Sequence, residues 1–159
     1  MKESFKNLPL RKGVGIIVLN KEDKVFVAKR IDNPKNFWQM PQGGIDGEET
    51  PLEAMIRELG EEVGLKRNFQ ILEESEDWLY YKLPDNLQKK VWNGKYVGQK
   101  QKWFVCKFSG SDSEIKLDCH KPEFLDWKWI DPYESLNKVV PFKRKMYKEV
   151  LSTFKNYFV

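Results

Sequence analysis

The chain is 159 residues long, carries 28 Lys and Arg against 24 Asp and Glu for a net charge of +4, and holds one His and two Cys. This fits a single domain over residues 1–159, with 40% hydrophobic residues for its core, and it excludes a disulfide scaffold. A zinc site or a His-dependent nucleophile would have to draw on Cys106, Cys119 and His120, so chemistry near neutral pH falls to carboxylates and a hard cation.

Residues 1–12 contain no apolar run, and the longest apolar stretch, 14–19, is far shorter than the ~20 residues that span a bilayer. A cytoplasmic protein with free thiols and no membrane partner is the expectation. Apolar runs at 14–19 and 25–28 around Asn20-Lys21-Glu22-Asp23 predict a hairpin. Residues 37–40 predict a short extended piece ending at Pro41, and Gly43, Gly44 and Gly47 predict a tightly bent loop. The best-marked helix follows. Thr50 is its N-cap, Pro51 suits the first turn, Glu53 completes a Thr-x-x-Glu capping box and Gly64 is the stop. Leu52, Met55, Ile56, Leu59 and Val63 repeat at helical spacing as its apolar face.

Strands are predicted at 78–83, 103–108 and 124–130, with Trp127 and Trp129 alternating with charged neighbours in the last. Cys106 reads as a core thiol, and Cys119 with His120 as an exposed loop pair. A second helix opens at Pro141 with Phe142, Met146, Val150, Phe154 and Phe158 at four-residue steps. Strands interleaved with helices, together with a hairpin, predict an α/β (α+β) fold on a mixed sheet.

The charge is unevenly spread. Residues 46–62 hold Asp46, Glu48, Glu49, Glu53, Glu58, Glu61 and Glu62 against Arg57 alone, whereas 89–107 hold six lysines and no acid. Lys138, Lys143, Arg144, Lys145 and Lys148 add a second basic segment. Acid between basic blocks suits an anionic ligand held through metal ions, and equally suits solvated faces. On an ideal helix, Glu61 lies about 60° to one side of Glu58 and Glu62 about 40° to the other. Three carboxylates on one face repel mildly, by roughly 0.2–0.5 kcal/mol per pair. Such a face can hold divalent cations or simply face water.

The flanking residues favour the first. Gly43, five residues, Glu49, seven residues, Arg57-Glu58-Leu59, one residue, Glu61-Glu62, one residue, Gly64-Leu65 resembles the Nudix box at every fixed position, residues 43–65. Chance agreement at these positions has odds of roughly 10⁻⁷. The likeness extends to Arg11-Lys12-Gly13, Trp38-Gln39-Met40-Pro41-Gln42-Gly43-Gly44, residues 78–84, Gly98-Gln99-Lys100-Gln101-Lys102-Trp103-Phe104, Pro122-Glu123-Phe124 and Pro141-Phe142-Lys143-Arg144. It is similar to the branch of that family acting on RNA 5′ ends and dinucleoside polyphosphates.

The resemblance implies a Nudix-type α/β/α sandwich, with Glu58, Glu61 and Glu62 binding two or three Mg²⁺ or Mn²⁺ ions. Glu123 would be a further ligand or the base that activates water, and Gly43 would let backbone approach a cation. Arg57 would orient the carboxylates. Arg11 stands where the branch contacts phosphates. Phe142, Lys143 and Arg144, with Lys29 and Arg30 opposite, would line the nucleotide pocket. Gln42, Gln99, Lys100 and Gln101 are branch-specific, and Tyr80 and Tyr81 could stack on the first bases. The implied reaction removes pyrophosphate from 5′-triphosphorylated RNA. The alternatives are hydrolysis of dinucleoside polyphosphates and a non-catalytic nucleotide- or RNA-binding module. No DNA or membrane partner is expected.

Overall fold

A computed structural model describes residues 8–32, 35–118 and 121–158. Cys119 and His120 lie outside the described residues. Seven strands form one mixed sheet: β1 (Leu10–Leu19), β2 (Val25–Arg30), β3 (Gln42–Gly44), β4 (Phe69–Glu74), β5 (Leu79–Lys82), β6 (Gly98–Phe108) and β7 (Phe124–Ile130). The main path runs β4-β6-β1-β2-β7. Only the long β1–β6 pair, from Leu10↔Gly98 to Leu19↔Lys107, is parallel among these pairings. One edge of β1 is shared, because β2 pairs at Leu19 and β3 pairs at Gly13–Gly15. The sheet therefore splits at the end of β1 that carries Arg11 to Gly15, and this opening is where the candidate site is built.

The helices are α1 (Pro51–Glu58), α2 (Asp85–Gln88), α3 (Ser135–Lys138) and α4 (Arg144–Thr153). The start of α1 is locally encoded. Thr50 Oγ1 accepts from the Glu53 amide at 3.1 Å, and Glu53 Oε1 accepts from the Thr50 amide at 2.9 Å. Thr50→Ala removes one half of this box. It should lower stability by about 1 kcal/mol, a fall of roughly 2–4 °C in melting temperature by thermal unfolding.

Alternation along the strands produces two cores, one on each face of the sheet. Val14, Ile16 and Val18 of β1 and Phe104, Cys106 and Phe108 of β6 meet Ala54, Met55, Leu59 and Val63. Ile17 and Leu19 of β1 with Trp103 and Val105 of β6 meet Met146, Tyr147, Val150 and Phe154. Two helices thus sandwich the sheet. Cys106 is buried as expected, and Trp127 and Trp129 both pack their rings on Phe26.

Four expectations need correction. Leu52 and Ile56 are exposed, because the buried face of α1 turns through Ala54, Met55 and Leu59 instead. The predicted glycine loop contains strand β3, which zips onto β1. The helix does not run regularly to Gly64: α1 stops at Glu58 and continues as a π-turn over Leu59–Val63, closed by left-handed Gly64 (φ 76°). The second predicted helix begins with a tight 3₁₀ turn over Pro141–Lys143, ahead of α4.

Candidate active site

The π-turn shapes the acidic cluster. Its wider i→i+5 winding leaves four of five consecutive residues buried, namely Leu59, Gly60, Glu62 and Val63. Glu62 is therefore only 4% exposed, while Glu61 and Glu58 stay closer to the surface. Among the described residues no donor reaches either Glu62 oxygen. Its polar neighbour is the Glu58 carboxylate, and two carboxylates can bond to each other only by sharing a proton. Burial, then Glu58, then Glu123 push the Glu62 carboxyl well above the usual range. Burial also raises Glu58, against the opposing pull of Arg57.

Arg57 ties the box together. Its Nε and Nη2 donate to the two Glu49 oxygens at 2.8 and 3.0 Å, a two-pronged contact. Nη1 donates to Glu58 Oε1 at 2.9 Å and Glu61 Oε2 at 3.2 Å, and Nη2 donates to the Gly44 carbonyl at 2.8 Å. Glu49 in turn accepts from the Asp46 amide at 2.9 Å, which closes the loop ahead of Thr50. The guanidinium beside Glu49 holds that carboxyl below its ordinary range. Gly43 completes the cradle, since a Cβ there would lie 2.1 Å from Glu58 Cδ. The Glu58 carboxylate thus rests directly on the Gly43 backbone.

These features suit a divalent cation. A buried carboxylate with no donor, beside a second one, is electrostatically unfavourable until positive charge arrives, and oxygen-only donors select a hard cation. Among the described residues no three potential ligands are gathered into a ready-made cluster, so the carboxylates would have to draw together around an ion. Glu123 is exposed just ahead of β7, its carbonyl accepts from the Ile31 amide, and its charge is felt at both Glu62 and Arg30.

The remaining candidates divide by face. Arg11, Gln42, Gln99 and Gln101 gather at the opening of the sheet. Gln101 Nε2 donates to Gln42 Oε1 at 3.2 Å and Gln99 Oε1 at 2.6 Å, and Tyr81 OH donates to Gln99 at 3.5 Å. Phe142 packs on Tyr81 with ring centres 5.7 Å apart, and the Lys143 ammonium lies 5.0 Å from the centre of the same ring. Lys143 is 6% exposed, and burial followed by repulsion from Arg30 lowers its pKa to about 7.

Tyr80 and Lys100 do not join this group. They pair across β5 and β6 and alternate with Tyr81, Gln99 and Gln101, which places them on the other side of the sheet. Lys100 and Lys102 cover the ring of Trp78 there. Lys29 lies over Trp38 together with Lys128. Arg144 donates to the Leu136 carbonyl at 2.9 Å. Arg30 donates twice to Asp32, at 2.8 Å each, a partner that raises the Arg30 pKa and that sequence spacing did not reveal.

The model of the NUDIX domain matches residues 9–150. An RNA pyrophosphohydrolase of Pelagibacter ubique is 54% identical over 150 residues, covering 94% of each chain. One of Orientia tsutsugamushi is 43% identical over 152 residues, covering 96% of this chain and 94% of the relative. The structure of the E. coli dihydroneopterin triphosphate pyrophosphohydrolase is similar in fold, with a TM-score of 0.69 at 18% identity over 89% of this chain and 96% of that one. Glycine, arginine and glutamates are held here by contacts that explain their spacing, and the match runs through almost all of the chain, which belongs to the Nudix family.

Proposed function

We propose that this chain is a cytoplasmic RNA pyrophosphohydrolase whose single domain converts 5′-triphosphorylated RNA to the 5′-monophosphate. The observation that carries the reading is the 54% identity, across 94% of both chains, with a relative bearing that name. The donor-less Glu62 and the Gly43 cradle support it from the side of chemistry.

Glu58, Glu61 and Glu62, with Glu123 at the rim, would hold two or three Mg²⁺ or Mn²⁺ ions. When bound, these would neutralise charge on phosphoryl oxygens and lower the pKa of water. Arg57 keeps Glu58 and Glu61 from turning away. Arg11 and Lys143 would bind phosphate oxygens, and the Phe142–Tyr81 pair would offer an aromatic edge to the first base. Glu123, exposed and with its charge felt at Glu62, would take the proton of the attacking water. Attack at the α-phosphorus breaks the α–β bridge and releases pyrophosphate; attack further out releases phosphate stepwise.

The test is incubation with γ-labelled 5′-triphosphorylated RNA and Mg²⁺, with a matched reaction on diadenosine tetraphosphate. Release of labelled pyrophosphate or phosphate with appearance of 5′-monophosphate ends is expected. No conversion of the RNA end overturns the reading, and faster turnover of the dinucleotide would move the assignment to dinucleoside polyphosphates.

A further inference from the structure

Trp92 lies in the connection between β5 and β6 with a left-handed backbone (φ 52°), and Asn93 beside it is left-handed too (φ 56°). A large side chain is unfavourable there and persists only where its surroundings hold it. The Trp92 ring stands edge-on to Tyr96 at 6.0 Å and packs against the core on the α4 side. The strained turn delivers the ring over Arg11, whose Cζ lies 5.2 Å from the ring centre. The guanidinium also lies against Gly44, where a Cβ would fall 2.2 Å from Arg11 Nη2.

Arg11 is thus held against both an indole and a bare α-carbon. It makes no ion pair among the described residues. Its cradle is also joined to the acidic cluster. Gly44 accepts from Arg57 through its carbonyl, and its neighbour Gly43 supports Glu58. A guanidinium stacked by its face keeps its N–H edge for an anion, and holding it in one place removes ordering cost when the anion binds.

We infer that Trp92 is a positioning residue of the polyphosphate subsite, fixing Arg11 against Gly44 so that its N–H edge meets phosphate oxygens. This rests on the reading of the site given above. Leu at position 92 keeps apolar bulk but has no π face, and Phe keeps the face, so the pair separates stacking from packing.

With triphosphorylated RNA, Trp92→Leu should raise KM about tenfold with kcat within about twofold, and Trp92→Phe should return KM to within about threefold of the parent. Combined with Arg11→Ala, Trp92→Leu should add nothing further. Equal effects of Leu and Phe, an effect confined to kcat, or additivity with Arg11→Ala would overturn the inference. Calorimetric binding of inorganic tripolyphosphate to the same variants gives a readout without turnover. The same tenfold and threefold pattern there, without RNA conversion, would reject the proposed activity and keep the role of Trp92. RNA conversion with equal tripolyphosphate affinities for Leu and Phe would do the reverse.

Discussion

Glu62→Gln is expected to lower kcat on triphosphorylated RNA by about three orders of magnitude while making the cation-free protein more stable. Both effects come from one buried carboxylate. The side chain is 4% exposed and finds no donor among the described residues. The amide keeps the volume and one oxygen but loses the charge, so the proposed cation site would be weakened where charge neutralisation is worth several kcal/mol of barrier, and ~4 kcal/mol is about 10³ in rate. Without a cation the charge is a burden on the fold. A carboxyl whose folded pKa is raised favours folding when protonated, below the ordinary value near 4.5, and this advantage is lost as pH rises from there toward the raised value. At neutral pH the glutamine therefore removes a penalty that the parent carries. Relief of an unsatisfied buried group, ~1–2 kcal/mol, corresponds to a melting temperature higher by roughly 2–8 °C. Thermal unfolding in chelator should show this gain at pH 7 and its disappearance below about pH 4. Saturating Mg²⁺ should reverse the order, since it stabilises the parent by mass action. A cation-free variant no more stable than the parent at pH 7 would contradict the electrostatic account.

The strands and helix that carry strong local signals were legible in the sequence. The capping box, the hairpin and β7 over 124–130 all follow from turn chemistry, capping and period-two alternation. The residues that escaped did so for identifiable reasons. β6 begins at Gly98 rather than residue 103, because Gln99 and Gln101 are buried polar residues that satisfy one another in part and so mask the apolar signal. Phe69 and Ile71 are only half-buried on an edge strand whose other residues, Gln70, Leu72, Glu73 and Glu74, are exposed, which left β4 unmarked. Nothing in Leu59–Val63 announces a π-turn, yet that turn sinks Glu62 beneath its neighbours. Tyr80 and Lys100 were grouped with Tyr81 and Gln99 by closeness along the chain, whereas alternate residues of a strand serve opposite faces. Spacing identified the carboxylates, but their inequality of burial arises only from the fold.

Gly43→Ala should separate fold from function in the opposite direction, with little loss of stability and a fall of about 10²-fold or more in kcat/KM. The added methyl would sit 2.1 Å from Glu58 Cδ and 2.3 and 2.4 Å from its two oxygens. These atoms end a flexible side chain, so the clash is relieved by a rotation of Glu58 rather than by movement of backbone. Gly43 pairs with Val14 in a regular antiparallel ladder and its φ is not left-handed, so alanine fits the strand itself. The rotation, however, takes Glu58 off the 2.9 Å hydrogen bond from Arg57 and away from Glu62. Arg57 keeps its two contacts with Glu49, which is why the loop and helix stay joined. A misplacement of this size at a reacting centre is enough for a loss near 10². Circular dichroism and thermal unfolding should be near parental, while Mn²⁺ affinity falls along with turnover. A variant that unfolds would show that the glycine serves the strand, and one that keeps full activity would show that Glu58 needs no cradle.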